Sequence, residues 1–179
     1  MSASLKGKRV AILVTDGFEQ VEMTDPRKAL QEAGARVDLV ADKPGQVEGW
    51  NHTTPADSFP VDLTFDSANL GDYDAIVLPG GVVNGDNIRL EKSAQALVKG
   101  AADAGKPIAV ICHGGWILAS ADVVKGRTIT SWPSLADDLR NAGANWVDKE
   151  VAVDGNLISS RKPDDLPAFN RTLISLLAS

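Results

Sequence analysis

Three short stretches of the 179-residue chain hold residue types able to do chemistry: Asp16-Gly17-Phe18-Glu19, Pro79-Gly80-Gly81 and Cys112-His113-Gly114-Gly115. Cys112 is the only cysteine, and it follows directly on the apolar run Pro107 to Ile111. A strand that runs straight into Cys-His-Gly-Gly is the pattern of a nucleophile elbow, a sharp turn holding a nucleophile clear of the sheet. Gly114, two residues on, supplies the small side chain the turn needs, whereas Val110, two residues before, is bulkier than the usual glycine. A helix start stabilises thiolate, so this position favours a reactive sulfur over an inert buried one. His113 is adjacent, and neighbouring side chains diverge in a regular helix. It can serve as base only if the elbow brings imidazole alongside sulfur.

The acids are more ambiguous. Asp16 and Glu19 fit a helix-start pattern, with Asp as N-cap and Glu three residues later. In the functional reading Glu19 reaches Cys112 and, because two anions cannot sit together cheaply, is protonated and donates a hydrogen bond to the thiolate. Gly80 and Gly81 either make a simple turn or bare backbone N–H groups for an oxyanion. Trp116 and Trp132 either wall a substrate pocket or belong to core or interface. Asp86 reads first as an acid at a helix N-terminus.

The elements that must position these residues alternate. Apolar runs at Val10–Val14, Val37–Ala41, Ala75–Leu78 and Pro107–Ile111 read as strands covered on both faces. Helical stretches are expected over 19–33, interrupted near Asp25-Pro26, and over 88–104, then through Ala121, over 134–141 and over 164–177. Residues 42–71, rich in Gly, Pro, Asp and Asn, read as an insertion of short strands and turns, and Trp146 to Ser159 as a hairpin around Asp154-Gly155-Asn156. The alternation predicts one α/β domain spanning 1–179, a doubly wound, mostly parallel sheet sandwiched by helices, flavodoxin-like, with a small β-hairpin. In such sheets ligands bind beyond the carboxyl ends of the strands, where the three stretches should converge.

Bulk properties narrow the partners. A net charge of −6 and 44% hydrophobic residues fit a compact domain without general affinity for nucleic acid or anionic membranes. No apolar run reaches membrane-spanning length, and the start Met1 to Arg9 lacks a signal-peptide core, so cytoplasm is expected. One cysteine and two histidines make neither an internal disulfide nor a convincing metal site. No dinucleotide fingerprint follows the first strand, and no cofactor is expected.

As a set, Phe18-Glu19-Gln20-Val21-Glu22, Leu78-Pro79-Gly80-Gly81, Ala109 to Gly114, Thr128 to Pro133 and Asp154 to Arg161 resemble the ThiJ/PfpI family, within the class I glutamine-amidotransferase-like fold. The likeness spans Lys8 to the C-terminal helix and is greatest to the PfpI-like branch, where His follows the cysteine. The resemblance implies that Cys112 is the nucleophile, that the early glutamate, Glu19, hydrogen-bonds to it, and that His113 completes a triad with an acid from a neighbouring subunit. Matching backwards from Arg89-Leu90 puts Asp86 at that acid position, an Asp in place of Glu and behind a loop one residue longer. Gly115 stands where proline is frequent.

The implied activity is a cytoplasmic, stress-protective, cysteine-dependent hydrolase. It would act on small electrophilic carbonyl compounds and glycated or unfolded proteins and peptides, as a deglycase or glyoxalase-like enzyme or as a peptidase. The backbone at Gly80, Gly81 and Gly114 would shape the oxyanion site, and the chain would form a homo-oligomer, at least a dimer. A redox-sensing or chaperone-like stress protein using an oxidisable Cys112 is the non-enzymatic alternative. An amidotransferase glutaminase is disfavoured, because the C-terminal third has no histidine.

Overall fold

The structure, a computed structural model, describes residues 4–179. The first apolar run becomes β1 (Arg9–Val14), and its residues divide by parity between two cores. Val10, Ile12 and Val14 face one side with Met23, Leu30, Phe169 and Leu173. Ala11 and Leu13 face the other with Leu97, Val98, Ile117 and Leu139. A strand apolar at every position is therefore one with a hydrophobic layer on each face.

The chain continues through β2 (Phe18–Glu19), α1 (Gln20–Glu32) and β3 (Arg36–Ala41). Next come the hairpin β4 (Gln46–Asn51) and β5 (Thr54–Pro60), then β6 (Leu63–Thr64), β7 (Ala75–Leu78), α2 (Val82–Ile88), α3 (Lys92–Asp103) and β8 (Ile108–Ile111). The remainder is α4 (Trp116–Ser120), β9 (Thr128–Ile129), α5 (Ala136–Asn141), β10 (Asn145–Trp146), β11 (Ala152–Asp154), β12 (Leu157–Ser160) and α6 (Leu166–Ala178). The main sheet has seven strands in the order β11-β12-β8-β7-β1-β3-β6. Every neighbour pair is parallel except β11 with β12. This is the expected doubly wound α/β sheet, with α1 and α6 on one face and α3, α4 and α5 on the other. Among the described residues no helix is long and apolar enough to cross a membrane.

Four local expectations change. The helix after β1 is one element, with Pro26 buried inside it; the proline removes only the N–H that would have met the Glu22 carbonyl. The helix expected over 88–104 begins later, as α3 at Lys92, and a separate helix, α2, ends at Ile88. Trp146 does not begin the hairpin; it pairs with Ile129 in the small β9–β10 sheet, and the hairpin is β11–β12. Asp16 is not the N-cap of α1, whose cap is Glu19 without a side-chain bond. The Asp16 carboxylate instead accepts the Glu48 N–H at 2.8 Å and pairs with Lys43.

Candidate functional site

Because β8, β7 and β1 are neighbours, their carboxyl ends lie side by side. β8 delivers Cys112 into a 3-10 turn over Cys112–Gly115 that leads into α4. Cys112 takes φ 60°, a left-handed conformation that costs a non-glycine residue energy and recurs where function demands it. The consequence is that the side chains of two sequence neighbours converge: His113 Nδ1 is 3.2 Å from Cys112 Sγ.

The turn closes against the end of β7 only because small residues meet there. A Cβ at Gly80 would stand 2.6 Å from the Cys112 Cβ and 2.5 Å from Glu22 Oε2. A Cβ at Gly114 would stand 2.6 Å from the Leu78 carbonyl oxygen. Asn84, fully buried on α2, ties the two strand ends together. Its Oδ1 accepts from the Thr15 N–H at 2.8 Å, and its Nδ2 donates to the Pro79 and Gly80 carbonyls at 3.1 and 3.0 Å.

The carboxyl against the thiol is that of Glu22, not Glu19. Glu22 has no exposed surface; its Oε2 accepts the Gly80 N–H at 2.7 Å, and its side chain interacts directly with Cys112. Its Oε1 is buried with no hydrogen-bond partner among the described residues. Burial raises its pKa from the usual 4.5 to about 8, so at neutral pH it is protonated and carries a hydrogen for that bare oxygen. Glu19 lies in β2, paired with Trp50 of β4, and lines the same cavity without a hydrogen bond to the sulfur. Its carboxylate accepts the His52 N–H at 3.1 and 3.4 Å from its two oxygens.

The remaining groups follow from burial. The imidazole of His113 is held below its usual range by desolvation and is neutral at pH 7. Burial pushes the Cys112 thiol up and an ionised Glu22 would push it further, while the Gly81 and His113 N–H groups pull it down. The helix-start expectation of a lowered thiol is thus corrected, because desolvation of the buried Cys112, a residue only 7% exposed, outweighs those two donors.

Of the three glycines expected around an oxyanion, Gly81 presents its N–H to the site. The Gly80 N–H is committed to Glu22 and Gly114 serves close packing. Trp132 lines the cavity and stacks on His113 at 5.7 Å between ring centroids. Trp116 meets the imidazole edge-on at 5.3 Å and donates its Nε1–H to Asp138, outside the cavity wall. Asp86 is exposed on α2 and forms no hydrogen bond or ion pair within the protomer among the described residues. The cavity holds about 240 Å³ between Cys112, His113, Glu22, Gly81, Glu19 and Trp132. It continues outward into a vestibule bordered by Asn51, His52, Lys162, Pro163 and Asp164.

Glu22 and Asn84 are the two residues sequence reasoning missed. Both left a signal: Glu22 shares a helical stripe with the buried Pro26 and Leu30, at i, i+4 and i+8, and Asn84 precedes the buried Ile88 by four. A polar residue on a buried stripe needs a partner at the strand ends it faces.

Known proteins carry the same arrangement of elements. The sequence profile of the DJ-1/PfpI family matches residues 8–176. A deglycase of Thermococcus kodakarensis is 44% identical, over 94% of this chain and 99% of its own length. A Bacillus subtilis protein named as a candidate cysteine protease is 39% identical, over 95% of this chain and 98% of its own length. The crystal structure of Drosophila melanogaster DJ-1beta superposes with a TM-score of 0.87 at 28% identity, over 96% of this chain and 90% of that one.

Proposed function

The chain belongs to the DJ-1/PfpI family, and on that premise we propose that it is a cysteine-dependent hydrolase of α-dicarbonyl adducts, a deglycase, with Cys112 as nucleophile. The observation that carries this reading is the pairing of Cys112 Sγ with His113 Nδ1 at 3.2 Å in the wall of a cavity that opens outward. A thiol with a neutral imidazole at that distance can shed its proton as it attacks. The 44% identity to a deglycase over 94% of this chain favours deglycase over peptidase action.

The substrate is a carbinolamine, in which nitrogen, hydroxyl and a neighbouring ketone surround one carbon. Sulfur bonds to that carbon as the nitrogen leaves, and His113 passes the thiol proton to the departing nitrogen. A proton then moves from the sulfur-bearing carbon to the former ketone carbon and the hydroxyl proton to the former ketone oxygen, turning the hemithioacetal into a thioester. Oxidation of one carbon is matched by reduction of its neighbour, so no external oxidant is needed. Water cleaves the thioester, returns hydrogen to sulfur and releases a 2-hydroxy acid. Oxygen charge developing in these steps meets the Gly81 and His113 N–H groups, and the protonated Glu22 supplies a donor that opposes no anion.

Asp86 is part of this reading across a subunit boundary. Around it α2 exposes Val82 (56%), Val83 (38%) and, just beyond, Leu90 (72%), an apolar surface that a second copy would cover. The His113 imidazole uses Nδ1 within its own protomer, leaving Nε2 for a partner's carboxylate. The test of the function is turnover of methylglyoxal adducts of N-acetylarginine by the wild type and by Cys112→Ser. Release of free N-acetylarginine must be abolished in the variant, and undiminished release would refute the proposal.

A further inference from the structure

Glu19 lost its assigned contact with the thiol yet remains in the wall of the same cavity, and its chemistry there is unexplained by nucleophilic attack. It is only 8% exposed. Its carboxylate is met by one backbone N–H, that of His52, with the His52 imidazole at 3.8 Å on a side chain 85% exposed. No lysine or arginine pairs with Glu19 among the described residues, and Lys162, which borders the vestibule, is 3.7 Å from Asp164. A carboxylate this buried ordinarily has a cationic partner. Glu19 lines the same cavity as Cys112, Glu22 and His113.

The hairpin tip holds that charge in place. β4 and β5 are joined through His52 and Thr53, with His52 at φ 57°. This strained turn aims the His52 N–H at Glu19, which keeps the carboxylate turned into the cavity rather than out to solvent.

We propose that Glu19 is the specificity-determining residue of the pocket, selecting substrates with a positive charge beside the reacting carbon, such as carbonyl adducts of guanidinium or ammonium groups, over neutral or anionic ones. The inference rests on the reading of Cys112 as the reactive centre. It extends that reading by giving the departing nitrogen a place: the cationic group lies against Glu19 while its carbon lies against sulfur. Glu19 acts as a binding carboxylate and takes no part in proton transfer at Cys112.

The experiment uses probes that report charge at the sulfur without any catalysis. Rates of Cys112 modification by 2-aminoethyl, methyl and 2-sulfonatoethyl methanethiosulfonate are measured by intact mass, each normalised to its rate with free cysteine. The single cysteine makes the readout unambiguous. The wild type is expected to favour the cation over the anion by about tenfold or more, the size of effect one charge exerts within a partly buried site. Glu19→Gln, which can still accept the His52 N–H, is expected to lower that preference at least fivefold. Asp103→Asn, equal in charge change but on the far end of α3, is expected to lower it less than twofold.

A normalised wild-type ratio of one or below, which needs no variant to measure, would overturn the proposal. So would a ratio that Glu19→Gln and Asp103→Asn change equally. Charge preference without adduct turnover would sink the deglycase reading alone, and turnover without charge preference would sink this one alone.

Discussion

His113 Nδ1 stands 3.2 Å from Cys112 Sγ although the two residues are adjacent in sequence, where side chains normally point apart. The left-handed φ of 60° at Cys112 makes the contact possible, and the packing of Gly80 and Gly114 against the elbow holds it. The pair is thus built by backbone geometry.

Replacing His113 by Gln should leave the fold intact and remove the acceptor of the thiol proton. Adduct turnover at pH 7 is expected to fall by about 10²–10⁴ in kcat/KM, the usual weight of a positioned general base. Steady-state assay of the variant, with circular dichroism to verify folding, checks this. Turnover within threefold of wild type would remove His113 from the mechanism.

Glu22 makes stability depend on pH with a defined sign. Its pKa rises from 4.5 to about 8 on folding, so between those values the folded state holds a proton that the unfolded state has released. Stability is therefore complete below about pH 4.5 and declines as pH rises towards 8, by up to a few kcal/mol. Glu22→Gln keeps an acceptor for the Gly80 N–H and cannot ionise. Urea unfolding at pH 5 and pH 8 should show the variant gaining on the wild type at the higher pH, and parallel profiles would contradict the assignment.

The glycines around the elbow should respond in opposite directions. Alanine at Gly80 or Gly114 drives a Cβ into backbone or carboxyl atoms at 2.5–2.6 Å and should cost about 1–3 kcal/mol. Gly115 has φ −65°, and its nearest neighbour to an added Cβ is Leu135 at 3.6 Å. Gly115→Ala should therefore stabilise by about 0.4–1 kcal/mol, through the unfolded chain. Thermal melts of the three variants test the order.

If Asp86 serves the partner's site, two inactive variants should rescue each other. Mixed oligomers of Asp86→Ala and Cys112→Ser contain sites with one intact Cys112 facing one intact Asp86. Co-refolded equimolar mixtures should recover about half of wild-type turnover per intact cysteine, the fraction random pairing gives a symmetric assembly. Absence of recovery, or a monomer by light scattering, would remove Asp86 from the site.

Much of this architecture is legible from sequence because it rests on local signals. Val10–Val14 and Pro107–Ile111 read as strands buried on both faces, and Pro79-Gly80-Gly81 and Cys112-His113-Gly114 follow strand ends directly. The identity of the carboxyl beside sulfur is not local. Asp16 to Glu19 mimics a helix start, but Phe18 and Glu19 pair with Gly49 and Trp50, some thirty residues away. The helix starts after that pairing, at Gln20, and buries Glu22 on one stripe with Pro26 and Leu30. The gap between α2 and α3 is hidden because apolar periodicity continues through Ile88, Leu90 and Ala94 even though Leu90 is exposed.

The central claim, that Cys112 is an accessible nucleophile driven by His113, is tested most directly by its alkylation with iodoacetamide in the native protein. Rates are followed by intact mass from pH 5 to 10 for the wild type and His113→Gln. The account predicts one label, placed on Cys112 before unfolding, and a rate at pH 7 at least tenfold slower in the variant. A thiol that labels only after denaturation, or at the same rate without His113, would contradict it.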